Sequence, residues 1–141
     1  MGKLKKYNAG EVGVIFGSRA LQGFTEGTFV TVTRLEDSYT MVVGADGEPT
    51  RSKTNNRSGS IEITLKQSSD SNDFLSEMLI SDESSGIGIA PLQVVDNSGR
   101  TIASAIEAWV MKPADSGFGR DAEDRTWTIQ CGDLDLFVGG N

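Results

Sequence analysis

The chain has 141 residues, of which 37% are hydrophobic and 23% charged, and a formal net charge of −7. That length suits a single domain over 1–141, able to bury about two-thirds of its unfolded surface. There is no histidine and one cysteine, Cys131, which removes the usual general base, the Ser-His-Asp triad, Cys/His metal sites and any intrachain disulfide.

In chain order, residues 1–10 form an arm whose basic residues are Lys3, Lys5 and Lys6. No apolar segment follows them, so the start does not read as a signal peptide, and no run is long enough to cross a membrane. The expected product is soluble, not membrane-bound, and cytoplasmic where it is made. Val12 to Phe16 reads as a strand ended by Gly17-Ser18. Thr28 to Leu35 is rich in β-branched residues, which suit a pleated surface. Tyr39 to Val43 leads into Asp46-Gly47, a pair that supplies hairpin-turn chemistry. Residues 48–59 hold no apolar residue except Pro49 and read as a polar, basic loop carrying Arg51, Lys53 and Arg57. A polar loop of that length inside a compact domain is either functional or disordered.

Ile61, Ile63 and Leu65 alternate with Glu62, Thr64 and Lys66, the mark of a half-buried strand. The period then changes. Phe74, Leu75, Met78 and Leu79 fall on one face of a helix over about residues 71–81, with Asp70 or Ser71 able to cap it. So short a helix must dock that face on a sheet. Gly86-Ile87-Gly88-Ile89 lacks the third glycine and preceding strand of a phosphate loop. Leu92 to Val95, the turn Asp96-Asn97-Ser98-Gly99 and the run Thr101 to Met111 form the clearest hairpin. The alanines in that last run also suit a helix, but the turn before it and Pro113 after it favour strand. Ala114 to Asp124 is irregular, and Trp127, Ile129 and Cys131 mark a final alternating strand.

Charge is unevenly placed. Residues 1–69 carry nine Lys/Arg against seven Asp/Glu, whereas residues 70–141 carry four against thirteen. Such asymmetry can steer association between complementary surfaces. A pI near 4.5 argues against a general nucleic-acid binder. Asp121, Glu123, Asp124, Asp133 and Asp135 match no calcium-loop spacing, so solvated acidic loops are the simpler reading. No catalytic constellation and no cofactor motif emerges. The residues describe an acidic β-rich domain with one docked helix, which favours an assembly role over an enzyme.

Several segments together resemble a known family. They are Lys6-Tyr7-Asn8-Ala9-Gly10-Glu11-Val12, Gly23-Phe24 with Gly27-Thr28-Phe29-Val30, and Val43 to Glu48 with Arg51-Ser52. Ser69 to Asp73, Pro91 to Gly99, Arg125 to Thr128 and Gly139-Gly140-Asn141 complete the set. Their order and spacing resemble the structural-protein family that forms the inner tail tube of some contractile-tailed bacteriophages. The type VI secretion tube protein is similar. The resemblance implies a mainly β, sandwich or barrel-like fold with one short flanking helix. It implies hexameric rings, stacked head to tail into a tube that encloses the tape-measure protein and later conducts DNA without binding it specifically. The implied partners are copies of the chain itself, the sheath, the baseplate and the tail terminator. The implied location is the virion tail, reached through the host cytoplasm.

Stacked rings need unlike faces, because a contact that does not close makes a filament. Lys3, Lys5, Lys6, Arg51, Lys53 and Arg57 are the expected inter-subunit contacts, meeting acidic residues of a neighbour. The alternatives are a tail terminator, a non-contractile tail tube, or a carboxylate-dependent β-sandwich enzyme.

Overall fold

The structure, a computed structural model, describes residues 4–141. After a short 3-10 turn at Ala9–Glu11, the elements are β1 (Val12–Phe16), β2 (Arg19–Ala20), β3 (Val30–Arg34), β4 (Tyr39–Val43), β5 (Pro49–Lys53) and β6 (Gly59–Leu65). Helix α1 (Ser71–Ser85), β7 (Ala90–Asp96), β8 (Ile102–Val110), β9 (Arg125–Cys131) and β10 (Asp135–Phe137) follow.

One antiparallel sheet runs β2-β1-β7-β8-β9-β6-β3, and β10 also pairs with β8. Strand β8 is the pivot. Its first half lies between β7 and β10, and its second half also pairs with β9. Alternation along β8 breaks once. Ala103 and Ala105 face the core, Ile106 and Glu107 are both exposed, and Ala108 and Val110 face the core again. The register with β7 slips at this point, as a β-bulge requires. A bulge bends its strand and increases the local twist.

The bent sheet closes on one core. Val14 and Phe16 of β1, Leu92 and Val94 of β7 and the β8 alanines share a cluster with Ile61, Ile63 and Leu65 of β6 and Trp127 and Ile129 of β9. Residues 21–25 link the far ends. Leu21 N donates to Val14 O at 2.9 Å, Lys66 N to Gly23 O at 2.8 Å, and Thr25 N to Thr64 O at 3.2 Å. The fold is mainly β and barrel-like, with a single helix among the described residues.

Helix α1 lies over that core. Leu75 and Leu79 are buried, and Phe74 and Met78 pack against the same cluster. Phe74 meets Phe16 edge-on, with ring centroids 6.1 Å apart. Trp127 Nε1 donates to Asn72 Oδ1 at 2.9 Å. The small side chains at 103, 105 and 108 let the helix approach β8 closely. The helix is one turn longer than the expected 71–81, because Gly86, at φ +69°, ends it only after Ser85. Its last turn is polar and exposed, so the apolar period carried no sign of it. Asp70 makes no side-chain cap bond. Its backbone is already helical, whereas a capping side chain works from an extended backbone. Ser69 Oγ accepts from Ser71 N at 3.1 Å instead. Gly88 is needed for contact, since a Cβ there would lie 2.4 Å from Met78 O.

The expected loop at 48–59 is corrected. Pro49–Lys53 is strand β5, paired with β4 in a separate two-stranded hairpin. Gly47, at φ +86°, makes the turn between them. Strand β5 escaped the hydrophobic pattern because both its faces are exposed. Proline is tolerated there as the first residue of an edge strand. Within 48–59, Glu48 and residues 54–58 remain irregular.

Leu75→Ala should cost about 2–5 kcal/mol, the usual range for emptying a buried leucine site. Ile80, on the same helix but 62% exposed, should tolerate alanine within about 0.5 kcal/mol. Urea denaturation followed by circular dichroism measures both.

Candidate assembly interface

The β4–β5 hairpin is exposed along its whole length. Its register pairs Tyr39 with Lys53, Met41 with Arg51 and Val43 with Pro49. Directly paired residues share a face, so these six form one apolar and cationic face. Thr40, Val42, Thr50 and Ser52 form the other face, which carries no charge. The Arg51 guanidinium stacks 4.0 Å from the Tyr39 ring centroid. Met41 is 67% exposed and Val43 54%.

The cations expected to act together are divided. Arg51 and Lys53 share the hairpin face. Arg57 is held within its own chain, with Nε 3.1 Å from Asp133 and Nη2 bonded to Asp135. Leu134 N donates to Arg57 O at 2.9 Å, and Arg34 Nη2 donates to Leu134 O. Arg57 therefore fastens residues 54–58 to the β9–β10 connection. Tyr39, Lys53, Arg34, Arg57 and Phe137 line a cleft of about 490 Å3 at the hairpin base. Arg34 Nε is buried there with no hydrogen-bond partner among the described residues. Lys5 and Lys6 line a different cleft, beside Asn97 and Ser98. Lys3 lies outside the described residues.

The two outer faces of the sheet differ in chemistry. On β3, β6 and β9 the outward face holds Thr31, Thr33, Ser60, Glu62, Thr64, Thr126, Thr128 and Gln130, a mostly hydroxyl surface with one amide and one carboxylate. On β1, β7 and β8 an open groove of about 610 Å3 is lined by Ile15, Pro91 and Ile106, with Gly17 and Gly132. The charged residues lining it are Glu107, Asp133 and Asp135, all acidic. Sequence reasoning missed this groove and the Met41-Val42-Val43 row. The row did leave a signal: apolar residues run up to a hairpin turn and none return after it.

The groups that carry chemistry are otherwise tied up or dispersed. Burial pushes the Cys131 thiol up, and Cys131 Sγ lies 3.5 Å from Gly59 O. Asp124 accepts from Thr25 at 2.7 Å, and Glu123 N donates to Gln67 at 2.8 Å. Among the described residues no three His, Cys, Asp or Glu side chains gather as a metal site. No helix among them is long and apolar enough to cross a membrane. Asp96 is held below the usual carboxylate range, chiefly by the Ser98 hydroxyl donating at 2.6 Å. Ser98 Oγ also accepts from Asn8 N at 3.2 Å and Asn141 Nδ2 at 3.3 Å. One turn thus ties both ends of the chain to the β7–β8 hairpin.

Known structures share this fold. The anti-feeding prophage cap, a tube-terminating cap, aligns with 98% of this chain and 95% of its own at a TM-score of 0.63 and 7% identity. The sheath/tube terminator of the extracellular contractile injection system PVC aligns with 97% and 100% at 0.64 and 11% identity. A chain of the PVC sheath-tube complex aligns with 94% and 92% at 0.59 and 12% identity. The fold is therefore that of contractile-system tubes and their terminators.

The sequence narrows this class. Residues 4–139 match the family described as Bacteriophage PhiTE tail tube protein, and the chain belongs to that family. It is also 34% identical over 126 residues to Structural protein ORF10 of Pseudomonas phage KPP10, covering 88% of this chain and 73% of the relative. It is a structural protein of the phage tail, and hence of the virion.

Asp96 contributes stability above the ordinary carboxylate range, because its folded pKa is depressed. That contribution is lost as pH falls through the folded value. Asp96→Asn should therefore unfold at lower temperature than the parent at pH 7. The gap should close as the pH is taken below about 4. Thermal melts across pH check this.

Proposed function

We propose that the chain is the inner tail tube subunit of a contractile-tailed phage. The observation that carries this reading is the tube-family match over residues 4–139. Copies form hexameric rings, and the rings stack head to tail into a channel that holds the tape-measure protein and then conducts DNA. A sheath surrounds the tube, and baseplate and terminator proteins meet its two ends. The role is structural rather than enzymatic.

The surfaces support the parts of this reading. The β4–β5 hairpin projects an uncovered face with Arg51 and Lys53, and a hairpin of two strands is marginal in water unless something covers it. It is the proposed inter-ring element, with the arm at Lys3, Lys5 and Lys6 as a second contact. Arg57 belongs to this set only through its hold on the hairpin base. The hydroxyl face at Thr31, Glu62, Thr64 and Thr126 is the proposed channel lining. Its hydroxyls hold water, and its one charge repels phosphates, so DNA slides past it.

A tube terminator is the second reading. It is favoured by TM-scores of 0.63 and 0.64 with a cap and a terminator, against 0.59 with a tube-complex chain. The two readings separate on purification. Long hollow tubes in negative stain of the purified protein would favour the tube subunit, whereas single rings that do not stack would favour the terminator.

Arg51→Glu combined with Lys53→Glu should leave rings or monomers and no long tubes. Both side chains are exposed, so the melting temperature should stay close to that of the parent. Tubes of normal length from this variant would remove the hairpin from the stacking contact.

A further inference from the structure

We propose that the apolar and cationic face of the β4–β5 hairpin docks on the outer groove of β1, β7 and β8 in a second copy of this chain. This rests on the reading that copies stack through the hairpin, and it names the surface that receives it.

Each surface lacks a partner within one chain. Met41 and Val43 are exposed on the outer half of the hairpin, and Ile106 in the groove is 84% exposed. Within one chain the hairpin base, at Tyr39 and Lys53, shares a cleft with Ser104 and Asp135, which also line the groove, while Met41, Val43 and Ile106 all stay exposed. An uncovered row of apolar side chains on a projecting hairpin and an open groove lined by Ile15, Pro91 and Ile106 both lose apolar contact with water when joined.

Charge selects the pairing. The hairpin face carries Arg51 and Lys53 as its only charged residues. The groove carries only acids: Glu107, Asp133 and Asp135. Asp133 and Asp135 are already held by Arg57. Glu107 has no ion pair among the described residues, so it is the free acid of the groove.

The local arrangement matches as well. The bulge in β8 turns two consecutive side chains outward, one apolar (Ile106) and one acidic (Glu107). On the hairpin, Met41 sits directly across from Arg51, one apolar and one basic. Apolar meets apolar while acid meets base in a single seating. The other face, Thr40, Val42, Thr50 and Ser52, offers an apolar side chain in Val42 but no basic one, so it cannot pair Glu107. The contact is between unlike surfaces, so each added copy presents a fresh hairpin or a fresh groove, and the assembly propagates.

Crosslinking gives the direct test. In Met41→Cys/Ile106→Cys protein, oxidation of preformed tubes should give a ladder of covalent multimers on non-reducing gels. Native Cys131 is buried and adds no background, and each single variant should give no ladder. Tubes of normal appearance without a ladder would overturn the proposal while leaving stacking through the hairpin intact.

Charge exchange gives the second test. Arg51→Glu and Glu107→Arg should each raise the protein concentration needed for assembly by about tenfold, and the double variant should restore assembly. If Arg51→Glu blocks assembly and Glu107→Arg does not, the hairpin docks elsewhere and the proposal fails alone. If neither has an effect, the proposal and the hairpin reading fail together. Normal tubes from Glu107→Arg that no longer take a sheath would give the groove to the sheath and also overturn the proposal.

Discussion

Strand β8 is hydrogen-bonded to β7 along one edge and to β10 and then β9 along the other. Among the described residues no other strand joins the two halves of the sheet, so the core depends on how β8 bends. The bend comes from one extra residue at Ile106-Glu107. Without it, the strict two-residue period would send Ala108 and Val110 to the outer face. The far half of the sheet would then lose its place over Val14, Phe16 and Leu92. The bulge therefore closes the core. The three alanines of β8 contribute through their small size, since they leave room for Leu75 and Leu79 of the helix.

That same residue pair shapes the outside. A bulge exposes two neighbouring side chains where a regular strand would expose one. Here one is aliphatic and one acidic, in a groove that joins apolar residues such as Ile15 and Pro91 to the acids Asp133 and Asp135. The device that bends the sheet inward thus makes the outer face uneven. The opposite half of the sheet has no bulge, and its outer face is a regular set of hydroxyls around Glu62. One continuous sheet so presents two unlike surfaces, and only one of them offers apolar side chains to a partner.

Most of the β-structure was legible in the sequence, because it carries a core. Ile61-Ile63-Leu65 and Trp127-Ile129-Cys131 alternate for the simple reason that one face is buried. The Asp96 to Gly99 turn fixed the reading of the alanine-rich run as strand β8, against its composition. Three strands were missed for related reasons, the shortest being β2, of only two exposed residues. Strand β5 buries neither face, so its sequence carries no period to read. Strand β10 has three residues, Asp135–Phe137, too few for alternation to register among acidic neighbours. The basic cluster was legible as composition and not as geometry. Arg51, Lys53 and Arg57 are close in sequence, but the strand carries the first two away from the acids that hold Arg57. That division follows from the pairing of Tyr39 with Lys53, which a reading of residues 48–59 as a loop could not contain.

The charge split changes meaning once the chain is folded. Nine cations against seven acids in residues 1–69, and four against thirteen in residues 70–141, look like two opposed halves. The sheet interleaves those halves, since β1 pairs with β7 and β6 with β9. No positive hemisphere results. Part of the basic excess is cancelled inside the chain, where Arg57 of the first segment meets Asp133 and Asp135 of the second. Of the exposed charges with no ion pair among the described residues, Arg51 and Lys53 lie on the projecting hairpin and Glu107 on the bulge. Exposed charges more than about 10 Å apart are screened from each other at moderate salt. Under the proposed docking, contact between copies rests on these few side chains at close range. Seated among apolar neighbours as proposed, each pair would lose water and strengthen. The acidic total of −7 would act separately in that docking, as a general repulsion between copies that only a seated hairpin face and groove overcome.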